Sequence, residues 1–237
     1  MLEQRPFVAA AEEIAAHPFL REASTGTLPL PKWKRYMDAR LETGPRFVQF
    51  LERLAAQAKK QGFDGIAAAA ESNRNEELGI VDGDVRVSRA HHEWRRWFRE
   101  GMGGVFAARG LTLDAGPAPD FTEVNGYPEA FDALTDEGDV LRSMGALGVF
   151  EIGLGYEYTE ILKGMDLVFP NELTPKQRVY LVGHAKHETR HFEEVFGPLA
   201  AVCTTRSHVA RALSGAELAK QVKLGFLNGA YREPVRA

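Results

Sequence analysis

The sequence predicts an all-α fold, a bundle of seven to eight helices. Three observations lead there. Apolar residues recur with the period of an amphipathic helix across most of the 237 residues. No convincing pair of alternating strands interrupts them. The breaks fall at Gly, Pro, Ser and Asp, where helices start and stop.

The first helix is expected from Pro6 to Leu20, ending before Ser24-Thr25-Gly26-Thr27-Leu28-Pro29. A long second helix follows Pro31, because proline suits a first helical position, and Gly62 stops it near Lys60. An Ala-rich helix spans Phe63 to Leu78 and halts at Gly79. Ser88 then offers an N-cap for a helix through about Arg109. Residues 110–127, rich in Gly, Pro and Asp, read as the longest loop. Further helices are expected near 128–135, 138–164, 175–199 and 208–229, with Thr174-Pro175 supplying a cap and a proline start for the third of these. No repeat or low-complexity block divides the chain, so residues 1–237 read as one helical domain.

Composition removes several classes of function. With 44% hydrophobic and 26% charged residues and a net charge of −4, nothing favours nucleic acid or an anionic membrane as partner. The basic run Trp94-Arg95-Arg96-Trp97 is expected to be a solvated helix face. The one cysteine, Cys203, excludes an intramolecular disulfide and a thiolate metal cluster, and its Ala-Val-Cys-Thr context reads as core. The start, Met1 to Pro6, shows no basic segment leading into an apolar run, and no apolar stretch reaches the ~20 residues that span a bilayer. A cytoplasmic location is the expectation.

The chemistry concentrates in three clusters. At about 100° per residue, His184, Glu188 and His191 fall on one helix face beside Leu181 and Val195, while Lys186, Arg190 and Glu193 project elsewhere. Three ligand-type side chains interrupting an apolar stripe suit a metal between helices; the alternative is a charged, solvated face. Glu151 shares its face with Met144, Leu147, Leu154, Tyr158 and Leu162. A carboxylate there is costly to bury alone, so it needs a metal, a hydrogen bond or an arginine. Glu157 and Glu160 point elsewhere and are expected to be solvated. The third cluster ends one helix with Asn73-Arg74-Asn75-Glu76-Glu77 and begins the next near His91-His92. Glu77 is in phase with Asn73, Ala70 and Ile66, and Glu76 is about 100° away.

Together these give three carboxylates and three imidazoles on four helices, a set suited to two divalent first-row ions, most naturally iron. All-oxygen cations such as calcium and magnesium fit poorly, and six ligands exceed the needs of one zinc. A ferritin-type site would need two Glu-x-x-His motifs, and only Glu188-x-x-His191 is present.

These residues resemble the haem-oxygenase-like dimetal oxidases, relatives in fold of the TenA thiaminases and of the PQQ-synthesis oxidase PqqC. The likeness runs through His17-Pro18-Phe19-Leu20…Gly26-Thr27-Leu28-Pro29…Trp33…Tyr36-Met37, then Asn73…Glu76-Glu77-Leu78-Gly79…His91-x-x-Trp94…Phe98. It continues through Gly145 to Glu151 and His184-x3-Glu188-x2-His191, and so covers residues 17–199. The resemblance implies a haem-oxygenase-like bundle without haem, and a diiron ligand set of Glu77, His91, Glu151, His184, Glu188 and His191. His91 is chosen over His92 by its offset to Trp94 and Phe98. Glutamate replaces the family's frequent aspartate at 188, which lengthens that ligand by a methylene. Tyr36-Met37-Asp38 lacks the Gln-Asp pair of thiaminase-like relatives, and Cys203 lies too late to match their nucleophile.

The implied activity is O2-dependent desaturation, fragmentation or N-oxygenation of a small amino acid or related carboxylate in biosynthesis, with two Fe2+ as cofactor. Arg74, Arg190 or Lys186 would pair the substrate carboxylate. His187 and Tyr158 are candidates for contact with the ligands, and Tyr36 for a self-sacrificing aminobenzoate synthase. A fatty-acid decarboxylase forming a terminal alkene and a non-catalytic metal- or ligand-binding protein are the other readings. A homodimer is left open.

Overall fold

The computed structural model describes residues 1–40, 44–80, 90–112 and 122–232, with side chains at 44–45 and 122–125 left aside. Among the described residues there are ten α-helices and no strand. They are α1 (Arg5–Ala15), α2 (Pro18–Ser24), α3 (Leu30–Arg40), α4 (Gly44–Lys60) and α5 (Asp64–Glu77), followed by α6 (His91–Ala107), α7 (Thr122–Asp136), α8 (Val140–Val168), α9 (Pro175–Val202) and α10 (Arg206–Tyr231).

Helix α8 is the axis of the bundle. It packs against α9 and α10 over most of its length and against α1 and α2 on its remaining sides. Buried residues therefore occur all around it, not along one stripe. Its crossing with α10 depends on glycine at both partners: a Cβ on Gly145 would lie 2.0 Å from the Ala212 carbonyl oxygen, and one on Gly215 would lie 1.8 Å from that of Arg142. Only hydrogen at these positions lets the two backbones approach so closely.

Some boundaries differ from the sequence reading, and some lie outside the described residues. The helix expected over Pro6–Leu20 is two. His17 leaves helical geometry and its ring Nδ1 accepts the Phe19 N–H at 3.1 Å, capping α2 with Pro18 at its first position. Over the segment expected as one helix from Pro31 to Lys60 the described helices are α3 and α4, and the stretch that would join them, residues 41–43, lies outside the described residues. Ser88 also lies outside them, and the residue capping α6 is Ala90. The loop read over 110–127 gives way to helix at Thr122, and Pro128 sits inside α7. Thr174 does cap α9 as expected, in a reciprocal capping box with Gln177. Cys203 is buried at the C-terminal end of α9. No helix among the described residues is long and apolar enough to cross a membrane.

Candidate metal centre

Four helices supply the donors. Glu77 ends α5, His91 begins α6, Glu151 lies mid-way along α8, and α9 contributes His184, Glu188 and His191. They form two groups, Glu77–His91–His184 and Glu151–Glu188–His191, and the ligand atoms in each lie within 4.8 Å of one another. Five of the six residues are buried and Glu77 is half-buried. His91, not the exposed His92, faces the group. Its imidazole Nδ1 is 2.8 Å from Glu77 Oε1, and its ring stacks on Trp94 at 4.6 Å.

Glu188 stands between the two groups. Its Oε1 is 3.9 Å from His184 Nε2, and its Oε2 is 3.2 Å from His191 Nδ1. Room for this carboxylate comes from α8: a Cβ on Gly155 would meet Glu188 Cβ at 2.9 Å. A glycine one turn beyond Glu151 is therefore part of how the chain seats two carboxylates side by side.

The outward atoms of the donors are tied down. His184 Nδ1 meets the Tyr180 carbonyl oxygen at 2.6 Å, leaving Nε2 toward Glu188. His191 Nε2 meets Glu76 Oε2 at 2.8 Å, leaving Nδ1 toward Glu188 and Glu151. Asn73 donates to Glu151 Oε1 at 2.6 Å. Fixing one ring nitrogen this way selects the tautomer that offers the other to a metal. Asn73 and Glu76 thus have supporting roles that the sequence reading did not assign to them.

The electrostatics show what the side chains do without a cation. Burial, then the neighbouring Glu151 charge, pushes the Glu188 carboxyl well above the carboxylate range. Glu151 is equally buried, but hydrogen bonds from His191, Glu188 and Asn73 outweigh that and hold it low. Burial disfavours charge on His191, yet Glu151, Glu188 and Glu76 together raise it to about 12. Burial and the nearby His91 lower His184. Glu76, against its own burial, is brought to about 2 by His191 and Arg190. Glu151, Glu188 and His191 hold one another through hydrogen bonds, and divalent cations placed among them would take over that role. Buried, oxygen- and nitrogen-rich and held from behind, the set fits two first-row metal ions.

Glu77, Glu151, His184 and Glu188 line a cavity of about 60 Å³. Phe131, Phe150 and Leu154 give it an apolar wall, and Arg40, Arg95, Tyr127, Tyr180 and Lys223 also border it. Several expectations change here. Arg74, Arg190 and Lys186 do not line the cavity: Arg74 bonds Asn75, Arg190 pairs with Glu76 and Glu194, and Lys186 is exposed. His187 is exposed and lies outside it. The Trp94–Trp97 run is not a solvated face, since Trp97 is buried, Trp94 stacks on His91 and Arg95 borders the cavity.

Glu157, expected in solvent, is fully buried, because its face of α8 is covered by α3 and α10. Tyr36 OH donates to its Oε1 at 2.6 Å, Lys223 Nζ donates to its Oε2 at 3.2 Å, and Arg40 Nε lies 3.6 Å away. Burial opposes its ionisation, but the Arg40 and Lys223 charges win and hold it low. Arg40 Nε also donates to Tyr158 OH at 2.9 Å, and Tyr158 OH donates to Tyr180 OH at 3.0 Å. Tyr158 thus links this ion cluster to the residue whose carbonyl orients His184, while Tyr36 is buried behind it and does not border the cavity.

No family model matches the sequence, and no curated protein matches it. Solved structures do. A TenA homologue from Pseudomonas syringae pv. tomato is similar at 11% identity and a TM-score of 0.72, covering 96% of this chain and 90% of that one. A domain of unknown function with a haem-oxygenase-like fold from Shewanella denitrificans is similar at 18% identity and a TM-score of 0.70, with the same coverage. A CADD-like protein of unknown function from Nostoc punctiforme matches at 13% identity and 0.67, covering 94% and 96%. At these identities the likeness speaks for architecture, and the chain has the haem-oxygenase-like fold.

Proposed function

We propose that this protein is a non-haem diiron oxidase that uses O2 to oxidise a small carboxylic acid or amino acid. The observation that carries the reading is the pair of three-donor groups meeting at Glu188 and opening onto one shared cavity. Glu77, His91 and His184 would hold one ion, Glu151 and His191 the other, with Glu188 between them. Bound there, two ferrous ions would supply the reducing electrons and the Lewis acidity that O2 activation requires.

The protein's own residues do the rest. Tyr180, Glu76 and Asn73 fix the donors, so little reorganisation is needed when ligands bind. Phe131, Phe150 and Leu154 keep bulk water from the reacting face. The volume, room for roughly four to six water-sized groups by the ~10–15 Å³ each needs, favours a compact substrate over a long acyl chain. The test is to load the protein anaerobically with Fe(II), admit O2 and follow oxygen uptake with visible absorbance. Oxygen consumption that requires iron, and that is lost in Glu151→Ala and His184→Ala, supports the reading. Iron binding without oxygen consumption would identify a metal-binding protein instead.

A further inference from the structure

The cavity has a second chemical surface besides the metal donors, and it is built from hydrogen-bond donors whose N–H and O–H groups are not all used. Tyr127 is buried, borders the cavity, and its hydroxyl has no hydrogen-bond partner. Arg95 also borders it, its Nε is buried without a partner, and its guanidinium, 5.9 Å above the Tyr180 ring, makes no ion pair with a described carboxylate. Lys223 is 1% exposed and borders the cavity as well. Its ammonium has three N–H donors, and only one is used, toward Glu157.

The stem of Lys223 lies across α8 at a glycine: a Cβ on Gly153 would be 3.1 Å from Lys223 Cδ and Cε. The sequence therefore makes space for a lysine to reach this interior. Leaving such donors unsatisfied costs free energy, and a charged donor in an apolar site costs more. A ligand oxyanion bound in the cavity would offer these donors an acceptor and a compensating charge. A neutral acceptor would bring no compensating charge, and a cationic group would bring neither that charge nor an acceptor.

We infer that Tyr127, Lys223 and Arg95 form an anchor for the substrate's carboxylate, which places its carbon skeleton against Phe131, Phe150 and Leu154 and its far end toward the metal donors. The inference rests on the diiron reading for what happens to the substrate, but the anchor itself consists only of this chain's side chains. A carboxylate held this way is recognised by donors on α6, α7 and α10 and is not itself a metal ligand. The substrate is thus a compact acid oxidised at a carbon or nitrogen away from its carboxylate.

The test uses butanoate and its neutral counterpart butanamide, titrated calorimetrically into the full-length protein, both metal-free and anaerobically loaded with Fe(II). Butanoate is expected to bind both forms and butanamide at least ~10-fold more weakly, since a hydrogen bond to a charged group is worth about that or more. Tyr127→Phe removes only an unpartnered hydroxyl, so the fold persists, and it is expected to weaken butanoate ~10-fold without changing the iron stoichiometry. Arg95→Gln is expected to act in the same direction. Equal affinity for acid and amide, no saturable butanoate binding, or an unchanged affinity in Tyr127→Phe would overturn the anchor. Binding only to the iron-loaded form, indifferent to Tyr127→Phe, would also overturn it, by showing the carboxylate on the metal. If iron fails to bind while butanoate binding still depends on Tyr127, the diiron reading falls and the anchor stands.

Discussion

Two buried glutamates near one cavity are expected to respond oppositely to the same substitution. Glu188 and Glu157 are both fully buried on facing helices, α9 and α8. Burial and the charge of Glu151 raise the Glu188 carboxyl well above its ordinary range, which favours its protonated form in the metal-free protein. Glutamine copies that protonated shape, so Glu188→Gln should alter metal-free stability by no more than one hydrogen bond, about 0.5–1.5 kcal/mol. Glu157 is held ionised between Arg40 and Lys223. Removing that charge strands buried cations, and Glu157→Gln should cost about 3–5 kcal/mol.

The stability gained from metal should separate the two variants the other way. At a free metal concentration of 100 times Kd, a site stabilises its protein by about 2.7 kcal/mol, or roughly 5–11 °C in Tm at ~2–4 °C per kcal/mol for a chain of this size. Glu188→Gln should lose most of that increment because a carboxamide cannot bridge two cations, whereas Glu157→Gln should keep it. Thermal unfolding of both variants, metal-free and with anaerobic Fe(II), measures all four quantities. A metal-free Glu188→Gln protein destabilised as much as Glu157→Gln, or one retaining the full metal increment, would refute the reasoning.

Gly155→Ala places a methyl 2.9 Å from Glu188 Cβ. Overpacking of about 1–3 kcal/mol set against about 1 kcal/mol of helix propensity predicts a small loss of stability together with weakened metal binding, and wild-type metal affinity would contradict the seat assigned to Glu188. Glu76→Gln removes the carboxylate behind His191 and should weaken metal binding by about 10–100-fold in competition with a chelator. Asp139 caps α8 through the Arg142 N–H and pairs with Arg211. Its partial burial works against ionisation, but these contacts hold its carboxyl below the usual range. The stability it contributes is therefore complete above the ordinary aspartate range near pH ~3.9 and is lost as pH falls through its depressed value. Asp139→Asn keeps a capping oxygen and should flatten that acid limb of chemical denaturation, leaving neutral-pH stability less affected than Asp139→Ala, which loses ~1 kcal/mol of capping.

The site's donors were legible because each breaks an apolar pattern. His184, Glu188 and His191 share a helix face with Leu181 and Val195, and Glu151 sits among Met144, Leu147 and Leu154. The structure brings these four together with Glu77 and His91. Lys223 carries the same signal, in phase with Ala216, Ala219 and Leu227 on α10, and a search for lone charges in apolar stripes would have found it. Glu157 escaped because periodicity reports one face, whereas α8 buries residues on more than one. Arg95 and Tyr127 escaped for other reasons: Arg95 lies in a run that reads as surface, and Tyr127 lies in a Gly- and Pro-rich segment that reads as loop. The helix break at His17 depended on a ring nitrogen acting as cap, which composition does not announce.

The most direct test of the dimetal centre is equilibrium dialysis of Fe(II) under anaerobic conditions, counting ions per chain in the wild type and in His184→Ala and His191→Ala, one variant for each group. Two ions in the wild type, with fewer in each variant, are the predicted result. One ion or none in the wild type at saturating Fe(II), or two ions in either variant, would contradict the account.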